Sequence, residues 1–145
     1  MKKPINSFKM SVSAKSVNEG FIRAVTASFS ALADPTIEEI NDIKTAVSEA
    51  VTNAIVHGYK EKQGLIYIDA ALYPDNTLKI RIKDKGCGIE DVKKAMEPLF
   101  TTAGDDRSGL GFSVMESFTD KVRVRSAPEK GTTVTLTKKI SGKCE

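Results

Sequence analysis

Three polar side chains recur every four residues along one predicted helix: Glu49, Asn53 and His57. A step of four residues returns to nearly the same side of an α-helix, so the three share one face. Residues 46–56 are otherwise largely apolar, and unpaired polar groups are costly to bury. A carboxylate can act as a general base, and an amide oxygen can bind a hard cation. From periodicity alone, the exposed edge of an amphipathic helix explains the row equally well.

A second segment places an acid and two glycines directly after a predicted strand: Asp84, Gly86 and Gly88. Glycine lets the backbone approach a ligand closely, and a carboxylate at a strand end can accept a hydrogen bond from an exocyclic amine. The segment is not the dinucleotide-binding fingerprint, because the third glycine and the βαβ context are missing. A simple turn is the alternative explanation.

A third segment, residues 108–112, reads Ser-Gly-Leu-Gly-Phe and leads into a predicted helix. A glycine-rich helix N-terminus offers free N–H groups and a favourable dipole to phosphate oxygens. The preceding residues 101–107 lack a hydrophobic anchor, so they could form a mobile flap that brings Arg107 to a phosphate. A surface loop followed by a capped helix would explain the same pattern.

Composition limits the kind of protein that carries these segments. The chain has 145 residues, a net charge of +3 and 40% hydrophobic residues, which predicts one globular domain over 1–145. There is no apolar run long enough for a membrane span or a signal peptide, so we expect a cytoplasmic protein. Cys87 and Cys144 are too few for a disulfide framework or a four-ligand zinc site.

Hydrophobic periodicity predicts the elements that position the three segments. The predicted order is a strand over 8–12, helices over 16–33 and 37–57, strands over 66–72 and 78–82, a short helix around 90–96, a helix over 111–119, and strands around 122–124 and 134–136. Ser16 with Glu19 and Thr36 with Glu39 are capping-box signatures. The buried side of the first helix is predicted from the spacing of Val17, Phe21, Val25, Phe29 and Leu32.

Each predicted strand has one apolar and one polar face. We therefore expect an α/β fold, a two-layer sandwich in which a mixed, mostly antiparallel sheet has helices on one face. The outer face carries Lys79, Arg81, Lys83, Arg123 and Arg125. Such a stripe is typical of a solvated sheet face. A nucleic-acid platform would need interleaved aromatic residues, and none lies between these positions, so we expect no direct nucleic-acid binding.

The three segments together, followed by Gly131-Thr132-Thr133, resemble the sequence boxes of the GHKL ATPase/kinase superfamily, in the family's order, over residues 8–140. Within it, residues 47–59 and 99–112 resemble the bacterial sporulation anti-sigma factors, which are serine kinases and switch proteins. The resemblance implies the GHKL ATP-binding fold, ATP or ADP and Mg²⁺ as cofactors, and a homodimer. It implies two partners: a sporulation sigma factor of the sigma F type, and an anti-anti-sigma protein that is phosphorylated on a serine.

The resemblance also implies individual roles. Glu49 would be the general base, Asn53 would ligate Mg²⁺, and Arg107 would reach the terminal phosphate as a second catalytic residue. Asp84, helped by Thr132, would accept from the adenine amino group. The implied ATP-binding set is Asn53, Asp84, Gly86, Gly88, Thr101, Thr102, Arg107, Ser108, Gly109, Leu110, Gly111 and Thr132. Partner binding would involve Glu19 and Arg23, which without the resemblance would belong to a solvated helix face.

Alternative functions fit the sequence less well. A nucleotide-gated sigma-binding module without significant kinase turnover would need Asn53 but not Glu49 as a base. A two-component histidine kinase would need a phosphoacceptor histidine on a dimerisation helix, and the single histidine, His57, lies in the predicted ATP-site helix. A gyrase-like ATPase would need a second domain, and the P-loop and protein-kinase signatures are missing. No role is assigned to His57, Cys87 or Cys144.

Overall fold

A computed structural model describes residues 3–60, 62–89, 91–92, 96 and 111–142. In chain order, the elements are strand β1 (Asn6–Ser13), helix α1 (Asn18–Ser30), a 3₁₀ turn (Ala31–Ala33), helix α2 (Ile37–Asn53), a π-helical turn (Ala54–Gly58), strands β2 (Leu65–Leu72) and β3 (Thr77–Asp84), helix α3 (Gly111–Phe118), and strands β4 (Lys121–Ser126) and β5 (Thr132–Lys139). No helix in these ranges is both long and apolar enough to cross a bilayer.

The five strands form one sheet in the order β1-β2-β3-β5-β4. Each of the four neighbouring pairs in the described residues is antiparallel. The two predicted hairpins, β2–β3 and β4–β5, are present, and the pairing of β3 with β5 joins them. That pairing sets Asp84 opposite Thr132.

Strict alternation of apolar and polar residues decides which face of the sheet is covered. Ile66, Ile68, Leu78 and Ile82 are at most 2% exposed, and their neighbours along the strands point to the other face. Burying such a side chain contributes about 1.5–3 kcal/mol relative to leaving it exposed. The helices supply the opposing layer, where α2 buries Ala46, Val47, Ala50 and Val51. The predicted two-layer sandwich is therefore confirmed.

Helix α1 differs from its sequence prediction in both its start and its buried side. It begins at Asn18 after Val17, and no side chain caps it, so the capping box predicted for Ser16 and Glu19 is wrong. The second predicted box is confirmed: the Glu39 N–H donates to Thr36 Oγ1 at 3.0 Å, and the Thr36 N–H donates to Glu39 Oε1 at 2.9 Å.

The buried side of α1 contains two hydroxyl residues. The buried residues are Ile22, Thr26, Phe29 and Ser30, whereas Val17, Phe21 and Leu32, all predicted on the buried side, are exposed. The Thr26 hydroxyl donates to the Ile22 carbonyl at 3.0 Å, and the Ser30 hydroxyl donates to the Thr26 carbonyl at 2.7 Å. Because these hydroxyls are satisfied by the helix backbone, they can be buried at little cost.

Candidate functional site

The first part of the candidate site lies where α2 passes close to Gly111 of α3. Glu49 and Asn53 are half-buried and lie one turn apart on α2. Gly111, the first described residue of α3, lies beside them: a Cβ atom at Gly111 would lie 3.7 Å from both Asn53 Oδ1 and Glu49 Oε1. A carboxylate and an amide of α2 therefore lie beside the first described residue of α3.

A π-helical turn connects this first part of the site to a second part, which is formed around the Asp84 side chain. Beyond Asn53 the helix widens over Ala54–Gly58, and the Tyr59 N–H donates to the Ala54 carbonyl at 2.9 Å. The turn sets Gly58 against the Asp84 side chain. A Cβ atom on Gly58 would lie 2.8 Å from each carboxylate oxygen, so only glycine fits without movement.

Backbone contacts lock the end of β3 onto the π turn. The Cys87 N–H donates to the Gly58 carbonyl at 2.8 Å. Gly86 packs so closely that a Cβ atom there would collide with the same carbonyl oxygen. Gly88 has φ +78°, and a Cβ atom on it would collide with the Ala127 carbonyl oxygen. The sequence predicts that these two glycines let the backbone approach a ligand; in the described residues, what they approach closely is neighbouring protein backbone.

Asp84 is a buried acid, only 4% exposed. Burial raises the pKa of its carboxyl group above the usual aspartate value, and the backbone N–H groups of Gly86 and Thr132 partly offset that rise. The Gly86 N–H donates to Asp84 Oδ1 at 2.9 Å. This bond fixes the orientation of the carboxylate. Asp84 is therefore an oriented acceptor in a largely water-excluded position.

A small polar network surrounds Thr132, which is also buried. The Ser126 hydroxyl donates to the Gly131 carbonyl at 2.8 Å, accepts from the Ile89 N–H at 2.7 Å, and lies 2.8 Å from Thr132 Oγ1. Gly131 has φ +83°, and a Cβ atom on it would collide with the Asp84 carbonyl oxygen. Together these contacts hold the start of β5 against the end of β3.

Sequence reasoning missed Ser126, Tyr59 and the contact made by Gly58. The Tyr59 hydroxyl donates to the Leu65 carbonyl at 2.6 Å and accepts from the Lys85 N–H at 2.8 Å, so it ties the segment after β3 to the start of β2. The signal for Ser126 was present: it continues the inward positions of Val122 and Val124 on β4, where a serine requires a partner. For Gly58, the sequence predicts only that it directly follows the second helix, over 37–57.

The other predicted site residues fall elsewhere. Thr101, Thr102, Arg107, Ser108, Gly109 and Leu110 lie outside the described residues. On α1, Glu19 and Arg23 form an ion pair with Oε2 and Nη1 3.4 Å apart. The described ranges contain no group of three or more His, Cys, Asp or Glu side chains that could hold a metal ion. The predicted helix around 90–96 is described only at 91, 92 and 96, where the Met96 N–H donates to the Val92 carbonyl at 3.1 Å.

The chain is similar to known proteins over most of its length. Residues 12–138 match the histidine kinase-like ATPase domain family. An anti-sigma F factor of Thermoanaerobacter sp. (strain X514) is 54% identical over 136 residues, 93% of this chain and 94% of that protein. An anti-sigma F factor of Bacillus subtilis (strain 168) is 50% identical over 138 residues, 94% of each chain. The crystal structure of the RsbU and RsbW domains of a Mycobacterium tuberculosis protein shares the fold, with a TM-score of 0.69 and 24% identity over 94% of this chain and 33% of that one.

Proposed function

The chain belongs to the anti-sigma F factor family of histidine kinase-like ATPase domains, and on that premise we propose that it binds and inhibits a sporulation sigma factor and phosphorylates a serine of an anti-anti-sigma protein. The observation that carries this proposal is the joining of two sets of groups by one π turn. On one side are Glu49, Asn53 and Gly111 of α3, and on the other is the buried acceptor Asp84. A sigma factor is an intracellular partner, so the protein would act in the cytoplasm as a single domain.

We propose that Asp84 accepts a hydrogen bond from the adenine amino group of ATP, with Thr132 beside it. The fixed orientation of the carboxylate supports this role, because Oδ1 is already held by the Gly86 N–H. The Thr132 N–H also donates to this carboxylate, and the lone pairs of its two oxygens leave room for a further hydrogen bond from the ligand. A buried acceptor discriminates well against ligands without a donor, since its own desolvation would go uncompensated.

We propose that Glu49 is the general base of phosphoryl transfer. The serine oxygen of the substrate would form a bond to the terminal phosphorus as the bond to the bridging oxygen of ADP breaks, and Glu49 would take the serine proton. Its position one turn before Asn53, beside Gly111, supports this assignment. A clamp that only senses nucleotide would have no use for a base there.

The amide of Asn53 fits the binding of Mg²⁺. This cation takes oxygen ligands and is usually held by one or two protein side chains together with phosphate oxygens and water. A single amide oxygen can therefore be its ligand from the protein. When bound, Mg²⁺ would neutralise phosphate charge. The roles of Arg107 at the terminal phosphate, and of 101–102 and 108–111 around the phosphate chain, are proposed from the family resemblance.

We propose that the sigma factor docks on α1 around Glu19 and Arg23. An exposed aromatic ring supports this surface: Phe21 is 53% exposed between the two paired residues, and Val17 is 80% exposed one turn earlier. Interfaces combine such apolar contacts with arginine anchors. Homodimerisation would use β1, one of the two sheet edges, because the β4 edge carries three cations that would repel a second copy.

One experiment tests the whole proposal. The purified protein is mixed with sigma F, or with the anti-anti-sigma protein, in the presence of Mg²⁺ with ATP or ADP. We expect ATP-dependent capture of sigma F and transfer of labelled terminal phosphate to a serine. Capture without transfer would identify a nucleotide-gated binding module instead. Failure to capture sigma F with either nucleotide would refute the anti-sigma role.

A further inference from the structure

The open face of the sheet, opposite the helices, carries a two-walled array of basic side chains that we call the basic trough. One wall is on β3 and the other on β4, and all six cations are exposed. The walls consist of Lys79, Arg81, Lys83, Lys121, Arg123 and Arg125. Strand β5 runs between them, and its outward residues form a floor of half-exposed hydroxyls. The floor consists of Thr133, Thr135 and Thr137.

Strand register aligns the trough into three straight rows, each with a cation, a threonine and a second cation. The rows are Lys79–Thr137–Lys121, Arg81–Thr135–Arg123 and Lys83–Thr133–Arg125. Neighbouring strands are about 4.8 Å apart, so the walls stand about 10 Å apart; outward residues along a strand repeat about every 6.7 Å. Long side chains on both sides of short ones make the surface concave.

The charge on this face has little internal compensation. Among the described residues, the one carboxylate within ion-pair distance of the trough is that of Asp69, 3.5 Å from Arg81. Protein surfaces usually intersperse both signs, and a concave region of one sign attracts counter-charged partners. Since the whole chain has a net charge of only +3, the positive excess is concentrated here. Cations spaced closer than the Debye length of about 8 Å repel each other, so an anionic occupant would be stabilised.

The floor of the trough favours a polypeptide over a nucleic acid as that occupant. Single-stranded nucleic acids are held by stacking of bases on aromatic rings, and the floor offers only threonines. Within the described residues, the aromatic side chain on the adjoining strand, Tyr67, is covered by the Lys85 ammonium group 4.9 Å from its ring centroid. Threonine hydroxyls donate and accept, as a peptide backbone and carboxylates require. In an extended peptide, alternate side chains also repeat about every 6.7 Å, which is the spacing of successive cations along each wall.

We propose that the basic trough is a docking surface for an extended acidic segment of a partner protein, whose alternate carboxylates pair with the two walls. This surface is separate from the candidate nucleotide site, because Asp84 and Thr132 point to the helix side of the same strands. The proposal is therefore independent of the function proposed above. Its failure would leave that function unaffected.

The test uses the full chain and a labelled peptide of about twelve residues that alternates Glu and Thr, matching the trough period. Its control replaces each Glu by Gln. We expect the acidic peptide to bind in fluorescence anisotropy, the Gln peptide not to bind, and the affinity to fall when salt rises from about 50 mM to about 200 mM. No binding by the acidic peptide would overturn the proposal. Tighter binding of a DNA oligonucleotide or of anionic lipid vesicles, lost in the variants below, would also overturn it.

Three double variants complete the test. K79Q/K83Q removes two charges from one wall, R123Q/R125Q removes two from the other, and K15Q/K62Q removes two exposed charges elsewhere. Each exposed ion pair changes affinity by a factor of about 1.4 to 5, so each wall variant should raise the peptide Kd about fivefold. The control should change it less than twofold. ATP binding, measured in parallel, should be unchanged in all three and reports that each folds. Equal loss in the control and the wall variants would mean that net charge alone acts, which would refute the trough.

Discussion

Replacement of Asp84 by Asn should weaken ATP binding through the geometry of a single hydrogen bond. The Gly86 N–H donates to Oδ1 at 2.9 Å and would keep an acceptor oxygen in that place in the variant. The amide NH₂ would then occupy the other position, where it donates and cannot accept a hydrogen bond from the adenine amino group. The loss of a charge-assisted hydrogen bond corresponds to about 1.5–3 kcal/mol, which is about a 10- to 150-fold rise in Kd.

The variant should fold normally, since the ionised form of Asp84 is itself unfavourable in the fold. In the folded protein, burial raises the pKa of the Asp84 carboxyl group above its ordinary value of 3.8. A group whose pKa is raised in the folded state adds to the free energy of unfolding at pH values below its unfolded-state pKa. This added stability is lost as pH rises through its folded-state pKa. At neutral pH the charged carboxylate therefore contributes no such stability, and Asp84→Asn should unfold at no lower denaturant concentration than the wild type.

The same shift predicts the pH dependence of binding. Protonation converts one carboxylate oxygen from an acceptor into a donor, so the wild-type affinity for ATP should fall as pH decreases through the raised pKa. The fall should begin above the range in which an ordinary aspartate titrates, and Asp84→Asn should not show it. Isothermal calorimetry across this pH range measures both effects.

The control for the Asp84 variant is Asp69→Asn. Asp69 loses the same charge on the same sheet, but its side chain pairs with Arg81 on the open face. It should bind ATP like the wild type. Unchanged ATP affinity in Asp84→Asn, or an equal loss in Asp69→Asn, would refute the assignment of Asp84 as the adenine acceptor.

The remaining predictions concern the base, the π turn and the partner surface. Glu49→Gln should lower the rate of serine phosphorylation about 10²- to 10⁴-fold with ATP affinity and sigma capture retained; a rate within about threefold of wild type in the phosphate-transfer assay would exclude Glu49 as the base. Gly58→Ala should cost about 1–3 kcal/mol in chemical denaturation through steric overlap, whereas Gly20→Ala, where a Cβ meets nothing closer than 3.6 Å, should be neutral or stabilising. Arg23→Ala should weaken sigma capture by at least about fivefold, as expected for an interface anchor, and calorimetry should find its ATP binding normal; intact capture would move the docking surface elsewhere.

The periodicity of apolar residues predicted the helices and strands. It mispredicted which side chains are buried where a polar side chain bonds to the backbone of its own helix. The alternation of β2 and β3 was enough to identify both strands and their buried faces. In α1, the same logic selected Val17 and Phe21 as buried, but the structure buries Thr26 and Ser30. Their hydroxyl groups return to the backbone of their own helix, so they behave as small apolar residues. Counting apolar residues therefore does not predict that a hydroxyl residue of this kind is buried.

The pairing of strands that are far apart in the chain could not be predicted from local sequence patterns. Each hairpin follows from a turn between two alternating segments, but the β3–β5 pairing that joins the hairpins depends on contacts between residues 48 to 62 positions apart. The candidate residues Asp84 and Thr132 meet only because of that pairing. Family resemblance linked them, whereas spacing along the chain did not.

The π turn relates the two parts of the candidate site, and nothing in the sequence of residues 54–58 predicted it. A π turn holds one residue more than an α turn, which shifts the following residues around the helix axis. Here it places a glycine at a position where a Cβ atom would overlap the Asp84 carboxylate. Because Asn53 immediately precedes the turn and Gly58 ends it, one short helical segment sets the distance between the amide and the buried acid. A rigid link of this kind would let one ligand engage both groups at once, which is the requirement that binding a nucleotide at its base and at its phosphates imposes.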